Sequence, residues 1–143
     1  MTSSSHSAST PAEQKMLSAP LVETASVITT MPEVLSYCKT SAAPWESGSY
    51  PGTSFKRIAA VPEAGLRAII LKVEPGAYIG IHAHDDEYEQ LFLISGDFCD
   101  GTRDLRPGDY LLRRVGAPHE ASTRYGAELL VIFNKISFSP AAT

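Results

Sequence analysis

GAYIGIHAHDDEYEQLFLISG, residues 76–96, is the stretch around which the rest of the chain is organised. His82 and His84 lie one residue apart in its first half. Because successive side chains of a β-strand point to opposite faces, both imidazoles project to one face and Ala83 to the other. The acidic segment 85–89 then forms a turn, and the apolar run LFLI begins a second strand. The pattern predicts two paired strands that carry two histidines on one face.

A carboxylate and a third imidazole complete the predicted site. Glu89 begins the second strand, where its side chain points toward the histidines if the two strands pair; Glu87 has the same parity but lies further into the turn. His119 lies downstream in GAPHE, where a returning strand would bring it to the same place. Imidazoles and carboxylates are ligands of divalent metal ions. We therefore predict that His82, His84, Glu89 and His119 hold one divalent metal ion.

Length and composition exclude several classes of protein. The chain has 143 residues, enough for one domain with a core, and a formal net charge of −4. No cluster of Lys and Arg indicates nucleic-acid binding, and no apolar run approaches the roughly 20 residues that span a bilayer. No secretory signal is recognisable, and Cys38 and Cys99 are too few for a disulfide framework. By elimination we expect a cytoplasmic protein that binds neither nucleic acid nor a membrane.

The pattern of residue types divides the chain into an arm and an all-β domain. We predict an N-terminal arm over residues 1–44, partly flexible, with either a short helix capped by Thr30 or an edge strand. From 45 to 143, short apolar segments alternate with turn signals such as Pro75-Gly76 and show almost no helical periodicity. That pattern is typical of an antiparallel sandwich or barrel.

The segments that carry the predicted ligands resemble the two motifs of the cupin superfamily. The first motif, Gly, His-x-His, Glu and Gly at fixed spacing, corresponds here to Gly76, His82, His84, Glu89 and Gly96. The second motif corresponds to Gly101, Pro107, Gly108, Asp109, Gly116 and His119. Arg114 stands where this motif has a Pro and Thr123 where it has an Asn, which changes loop geometry and a packing position but no ligand. The resemblance implies one antiparallel double-stranded β-helix, the cupin jelly-roll barrel, over residues 45–143.

In detail the chain resembles the ChrR-like cupins and the small acetylacetone-cleaving dioxygenases. The shared features are Trp45, Pro51-Gly52 and Lys56 before the barrel, and the run ISGDFCDG at 94–101. Resemblance to the dioxygenases implies an Fe2+ enzyme that binds a small dicarbonyl as its enolate, after which O2 cleaves a C–C bond. Resemblance to the ChrR anti-sigma factors implies instead a zinc-binding sensor without catalysis. Because the first 45 residues lack the metal-ligand spacing of the helical zinc domain of those factors, we favour the enzyme and keep the sensor as the alternative.

The nature of the metal stays open at this point. Three imidazoles and an optional carboxylate leave coordination positions free, and such a site suits Fe2+ and Zn2+ as well as Ni2+, Mn2+ and Cu2+. Around the ion we expect a mostly apolar pocket for a small-molecule ligand or substrate. Strands and turns beside the ligands supply the pocket candidates Tyr78, Phe98, Tyr110, Arg113 and Arg114.

Parity on the second strand also predicts a covered outer surface. If Glu89 points inward, then Leu91, Leu93 and Ser95 do so too, and the outer set is Gln90, Phe92 and Ile94. Two of these outer residues are large and apolar, which a strand facing solvent avoids. We therefore expect the arm or a second subunit to cover this face, and a homodimer.

Overall fold

The computed structural model of the chain describes residues 34–136. Within this range the chain forms ten β-strands and one short 3-10 helix, Pro62–Ala64. The strands are β1 Glu46–Ser47, β2 Thr53–Val61, β3 Leu66–Val73, β4 Tyr78–His82, β5 Glu87–Gly96, β6 Phe98–Cys99, β7 Asp104–Leu105, β8 Tyr110–Arg113, β9 His119–Ser122 and β10 Ala127–Lys135.

The strands form two antiparallel sheets that enclose one core. The six-stranded sheet has the order β1-β2-β3-β10-β5-β8, and the four-stranded sheet has the order β4-β9-β6-β7. Strand β10 lies between β3 and β5, and its inward side chains Leu129 and Val131 are among the most deeply buried of the described residues. Ile79 and Phe98 of the smaller sheet belong to the same apolar cluster. This arrangement confirms the predicted jelly-roll barrel.

Alternation along β5 follows the prediction until the strand's last residues. Leu91 and Leu93 are buried with Glu89, whereas Phe92 and Ile94 are 41% and 44% exposed. The prediction for Ser95 is wrong, because this residue is exposed. The register between β5 and β10 shifts by one residue at this end of the pair, and such a bulge reverses the alternation.

The outer face of the larger sheet carries an apolar row that crosses several strands. Phe92 lies in register between Leu130 of β10 and Tyr110 of β8. The polar groups beside this row bond to one another: the hydroxyl of Tyr110 donates to Gln90 over 2.9 Å, and Gln90 donates to Asn134 over 2.8 Å. The polar side chains beside Phe92 are therefore satisfied by one another, and the expected cover of this face, the arm or a second subunit, stays a prediction.

Most of the predicted arm lies outside the described residues. Its last part, residues 34–39, has no helical structure, so the predicted helix does not extend into this range. The segment that follows, residues 40–45, is held by Lys56 of β2. The ammonium group of Lys56 donates to the carbonyl oxygen of Thr40 over 2.7 Å and lies over the ring of Trp45. These contacts attach the segment before β1 to the barrel. None of the helices in the described range is both long enough and apolar enough to cross a membrane.

Candidate metal centre

Three imidazoles meet at one end of the barrel. His82 ends β4 and is the register partner of His119, which begins β9, and His84 follows two residues after His82. One ligand nitrogen from each ring lies within 4.8 Å of the others. The ring centroids are 4.1 Å apart for His82 and His119 and 5.5 Å apart for His84 and His119. The structure thus brings together the three histidines that the sequence analysis proposed as ligands.

Two local features of the backbone aim these rings. Ile79 is buried in the core and His82 also faces inward, although they lie three positions apart and regular alternation would put them on opposite faces; a register shift between the two makes this possible. Beyond the strand, the backbone N–H of Gly116 donates to the carbonyl oxygen of His84 over 2.7 Å. This bond ties the β4–β5 loop to the β8–β9 loop, so the two parts of the site are fixed relative to each other.

Hydrogen bonds define which nitrogen of two rings is free. The Nδ1 atom of His82 lies 2.8 Å from the carbonyl oxygen of Gly80, and that of His119 lies 2.9 Å from the carbonyl oxygen of Ala117. A carbonyl oxygen only accepts, so Nδ1 carries the hydrogen in both rings. In the neutral imidazoles the lone pair is then on Nε2, as in metal-ligating histidines whose other nitrogen is held by a carbonyl.

His84 has no such partner and is held by packing instead. Its ring lies edge-on to Phe133 with centroids 5.0 Å apart. Its Nε2 atom is buried and has no hydrogen-bond partner among the described residues. Burial lowers the pKa of His84 below its ordinary value, which favours the neutral ring. A buried ring nitrogen without a hydrogen-bond partner, beside the Nε2 atoms of His82 and His119, fits a divalent cation.

Glu89 lies beside the imidazoles as a buried carboxylate. Its Oε2 atom is 3.3 Å from Nε2 of His119, and its Oε1 atom is 3.6 Å from Nε2 of His84. Arg113, its register partner on β8, donates from Nε to Oε2 over 3.0 Å. Burial favours the neutral acid, but His119 in its protonated form and the guanidinium of Arg113 outweigh it and hold the pKa of Glu89 below its ordinary value. A carboxylate is thus placed where it can join the three imidazoles.

The rival carboxylate, Glu87, is engaged elsewhere. It is as buried as Glu89, but Arg67 of β3 binds it through two hydrogen bonds of 2.8 Å and 3.3 Å. The same guanidinium lies 3.7 Å above the ring of Phe133. Glu87 therefore forms an ion pair with Arg67 and is not available to the imidazoles in this arrangement.

The ligand atoms face a cavity of about 330 Å3 inside the barrel. Most of its wall area is apolar, although polar side chains are also numerous among the lining residues. The apolar lining includes Ile69, Leu71, Ile79, Leu91, Phe98, Ala121, Val131 and Phe133. The polar lining comprises the three histidines with Glu89, Arg113 and Arg67, and Tyr50 with Ser49 and Thr53 from the loop and strand start after β1. Pockets that bind small molecules have this composition.

The five predicted pocket residues do not share one environment. Phe98 and Arg113 line the cavity, and Arg114, one residue further, is exposed on the other side. Tyr110 lies on the outer face because its parity on β8 is opposite to that of Arg113. Tyr78 has the parity of His82, but the register shift in β4 turns it outward, where its hydroxyl donates to Glu120. Tyr78, Tyr110 and Arg114 therefore do not line this cavity.

Sequence reasoning missed several side chains of the cavity, and three of them lie beside the charged and imidazole groups of the site. Tyr50 comes from the Gly- and Ser-rich loop before β2, and its ring centroid is 5.7 Å from that of His82. Phe133 is one of several apolar residues of β10, and nothing in its spacing sets it apart. Arg67 is a charge inside the apolar segment LRAIILKV, and that interruption was the only available signal.

Comparison with known proteins places the chain among cupins. The ChrR cupin-like domain family matches residues 34–137. No curated protein sequence matches the chain. KdgF from Halomonas sp. is similar in structure, with a TM-score of 0.63 at 22% identity, over 71% of this chain and 95% of that one. An acetylacetone dioxygenase from Acinetobacter johnsonii is similar with a TM-score of 0.60 at 15% identity, over 73% and 75%. A chain in the complex of Rhodobacter sphaeroides SigE with the anti-sigma ChrR is similar with a TM-score of 0.55 at 16% identity, over 68% of this chain and 51% of that one.

The fold and the three-imidazole site define a cupin barrel with a group that can bind a divalent metal ion. Because the family match covers most of the chain, the protein belongs to the ChrR cupin-like domain family. The structural likenesses, all at low identity, support the fold.

Proposed function

We propose that the protein is a metal-dependent enzyme for small molecules, a non-haem Fe2+ dioxygenase that cleaves a dicarbonyl substrate. The observation that carries the proposal is that the imidazoles of His82, His84 and His119 converge at an apolar cavity. A structural metal site is closed by its ligands, whereas a catalytic site keeps a position open for substrate. The reaction class comes from the likeness to an acetylacetone dioxygenase.

In this proposal the three Nε2 atoms would hold the ion, and Glu89 would supply the neighbouring negative charge. When bound, the ion supplies a Lewis acid and a template for substrate and O2. Fe2+ is the ion that the dioxygenase reading requires, and Zn2+, Ni2+, Mn2+ and Cu2+ suit the same donors. The residues themselves orient the ion, keep its surroundings dry and set the local charge.

The charge and size of the cavity indicate the substrate class. Arg113 offsets the carboxylate of Glu89, so an ion held by neutral imidazoles would leave the site with an excess of positive charge. An enolate, formed when a dicarbonyl loses a proton, brings one negative charge in an otherwise apolar molecule. A volume of about 330 Å3 is at the lower end of the range for ligand pockets, which limits the substrate to a small molecule.

Metal analysis and oxygen uptake test the proposal. Purified protein is assayed for bound metal, and O2 consumption is then measured with Fe2+ and a panel of β-dicarbonyls. We expect consumption with at least one of them, and loss of both metal and uptake in His82→Ala. His6→Ala is the matched control, because His6 belongs to the predicted arm and is not among the proposed ligands. Absence of O2 uptake with every metal would refute the dioxygenase.

The second candidate function is a non-catalytic zinc sensor. The observation in its favour is the family match itself, which is to the cupin-like domain of ChrR. This function predicts one tightly bound Zn2+ that depends on the same histidines, no O2 uptake with Fe2+, and no turnover of dicarbonyls. The metal analysis and the oxygen measurement therefore separate the two functions in one series.

A further inference from the structure

Arg113 lies between two buried carboxylates that come from different sheets. Its side chain is only 12% exposed. Its Nε atom donates to Oε2 of Glu89 over 3.0 Å, and its Nη2 atom is 3.7 Å from Oδ2 of Asp100. Glu89 belongs to β5 in the larger sheet, and Asp100 follows β6 in the smaller one. One guanidinium therefore connects the metal centre with the turn after β6.

Asp100 is fixed by that turn more firmly than by Arg113. Its Oδ1 atom accepts from the backbone N–H groups of Thr102 and Arg103, over 3.1 Å and 2.8 Å, and from the hydroxyl of Thr102 over 3.0 Å. Its side chain is 1% exposed. An anion held by backbone donors in this way is a fixed reference point, toward which a neighbouring guanidinium orients.

The two oxygens of Glu89 differ in their surroundings. Oε2 accepts the hydrogen bond from Arg113 and lies 3.3 Å from Nε2 of His119. Oε1 points toward Nε2 of His84 at 3.6 Å, and the described residues offer it no hydrogen bond. Because Arg113 binds Oε2, the carboxylate cannot rotate freely, and Oε1 stays directed at the imidazole of His84.

We propose that Asp100 and Arg113 are positioning residues that hold Glu89, through its Oε2 atom, so that its Oε1 atom is presented to the metal ion. This proposal rests on the proposed metal site. Arg113 is suited to the task because its planar guanidinium can face two carboxylates at once, which the single ammonium of a lysine does less well. Glu89 without Arg113 would be a buried charge with no fixed orientation.

The test uses Co2+ as the probe, because its visible absorption reports the number and type of its ligands. Arg113→Met removes the contact to Glu89, Arg113→Lys keeps the charge, and Asp100→Asn removes the reference anion. Loss of an outer residue that orients a ligand typically weakens metal binding by roughly 10–100-fold. We expect that loss, with a changed Co2+ spectrum, in Arg113→Met, and smaller losses in the other two.

Arg103→Met is the matched control. Arg103 donates to the same Oδ2 atom of Asp100 over 3.1 Å, but its side chain is 68% exposed and makes no contact with Glu89 among the described residues. The Arg103→Met substitution should leave the affinity for Co2+ and the Co2+ spectrum unchanged. Melting of the metal-free variants is followed in parallel, since a merely structural role would lower the melting temperature without changing the spectrum of the folded, loaded protein.

A double-mutant cycle decides whether Arg113 acts through Glu89. If it does, Arg113→Met adds almost no further loss of affinity to Glu89→Gln, because both remove the same oriented oxygen. Additive losses, or an unchanged Co2+ spectrum in both Arg113→Lys and Asp100→Asn, would overturn the positioning role. Failure of the wild-type protein to bind any divalent ion would instead refute the proposed function.

Discussion

Replacement of His84 by Leu should stabilise the metal-free protein while it removes metal binding. The Nε2 atom of His84 is buried and has no hydrogen-bond partner among the described residues. An unsatisfied buried polar group of this kind costs about 1–3 kcal/mol. Leucine has a similar size and no polar atom, so this penalty disappears. The substitution also loses the edge-on contact with Phe133, which is worth about 0.5–1.5 kcal/mol. The net expectation is a gain of about 1 kcal/mol in the free energy of unfolding.

The gain should depend on pH in a definite direction. Burial holds the pKa of His84 below the ordinary value of 6.5, so below pH 6.5 the unfolded chain takes up a proton at this imidazole before the folded protein does. The wild-type protein therefore loses stability as the pH falls through this range, and the leucine variant has no such group at position 84. The advantage of the variant should grow between pH 8 and pH 5.

Thermal and urea unfolding of chelator-treated protein measure both effects. About 1 kcal/mol corresponds to a rise of roughly 4–8 °C in melting temperature for a domain of this size. With Zn2+ at 100 times its dissociation constant, the wild-type protein should gain about 2.7 kcal/mol, and the variant should gain nothing. A metal-free variant that is less stable than the wild type, or an advantage that shrinks in acid, would refute the reasoning, because Nε2 would then have a stabilising partner. His6→Leu should reproduce the wild type in every measurement.

Three further predictions concern residues away from the ligands. Light scattering should find a dimer, and Phe92→Asp should convert it to a monomer, because a charge would replace an apolar side chain on the outer face; a wild-type monomer would contradict the predicted dimer. Asp97→Asn should lower the melting temperature at pH 7, because Asp97 accepts backbone hydrogen bonds from the turn before β10, and these hold its pKa below 3.8. That difference should shrink as the pH falls below 3.8, and a difference independent of pH would exclude the charge as its cause. Arg67→Met should destabilise the protein to urea by about 1–2 kcal/mol, since it removes the stacking on Phe133 and leaves Glu87 buried without its cation; an unchanged midpoint would show that neither contact contributes.

Short-range spacing was sufficient to predict much of the barrel and the three imidazoles. Alternation from Glu89 to Leu93 depends only on strand geometry, and the structure has the predicted inward set over that range. His82 and His84 converge as the same rule predicted, although His84 lies beyond the end of β4 and its position also depends on the loop bond to Gly116. Where the rule failed, a register shift intervened: one in β4 turned Tyr78 outward, and one in β5 exposed Ser95. A bulge is set by how two distant segments pair, so neither strand's own sequence reveals it.

The assignment of the carboxylates shows most clearly what spacing cannot supply. Glu87 and Glu89 have the same parity on β5 and the same small exposure, so no property of their own strand distinguishes them. Their partners do, because β3 brings Arg67 to Glu87, and β8 brings Arg113 to Glu89. Neither pairing is local in the sequence, because Arg67 lies 20 residues before Glu87 and Arg113 lies 24 residues after Glu89. The choice of carboxylate beside the imidazoles thus depends on topology, and a neutral residue at position 113 should alter the site at Glu89 while Glu87 keeps its cation.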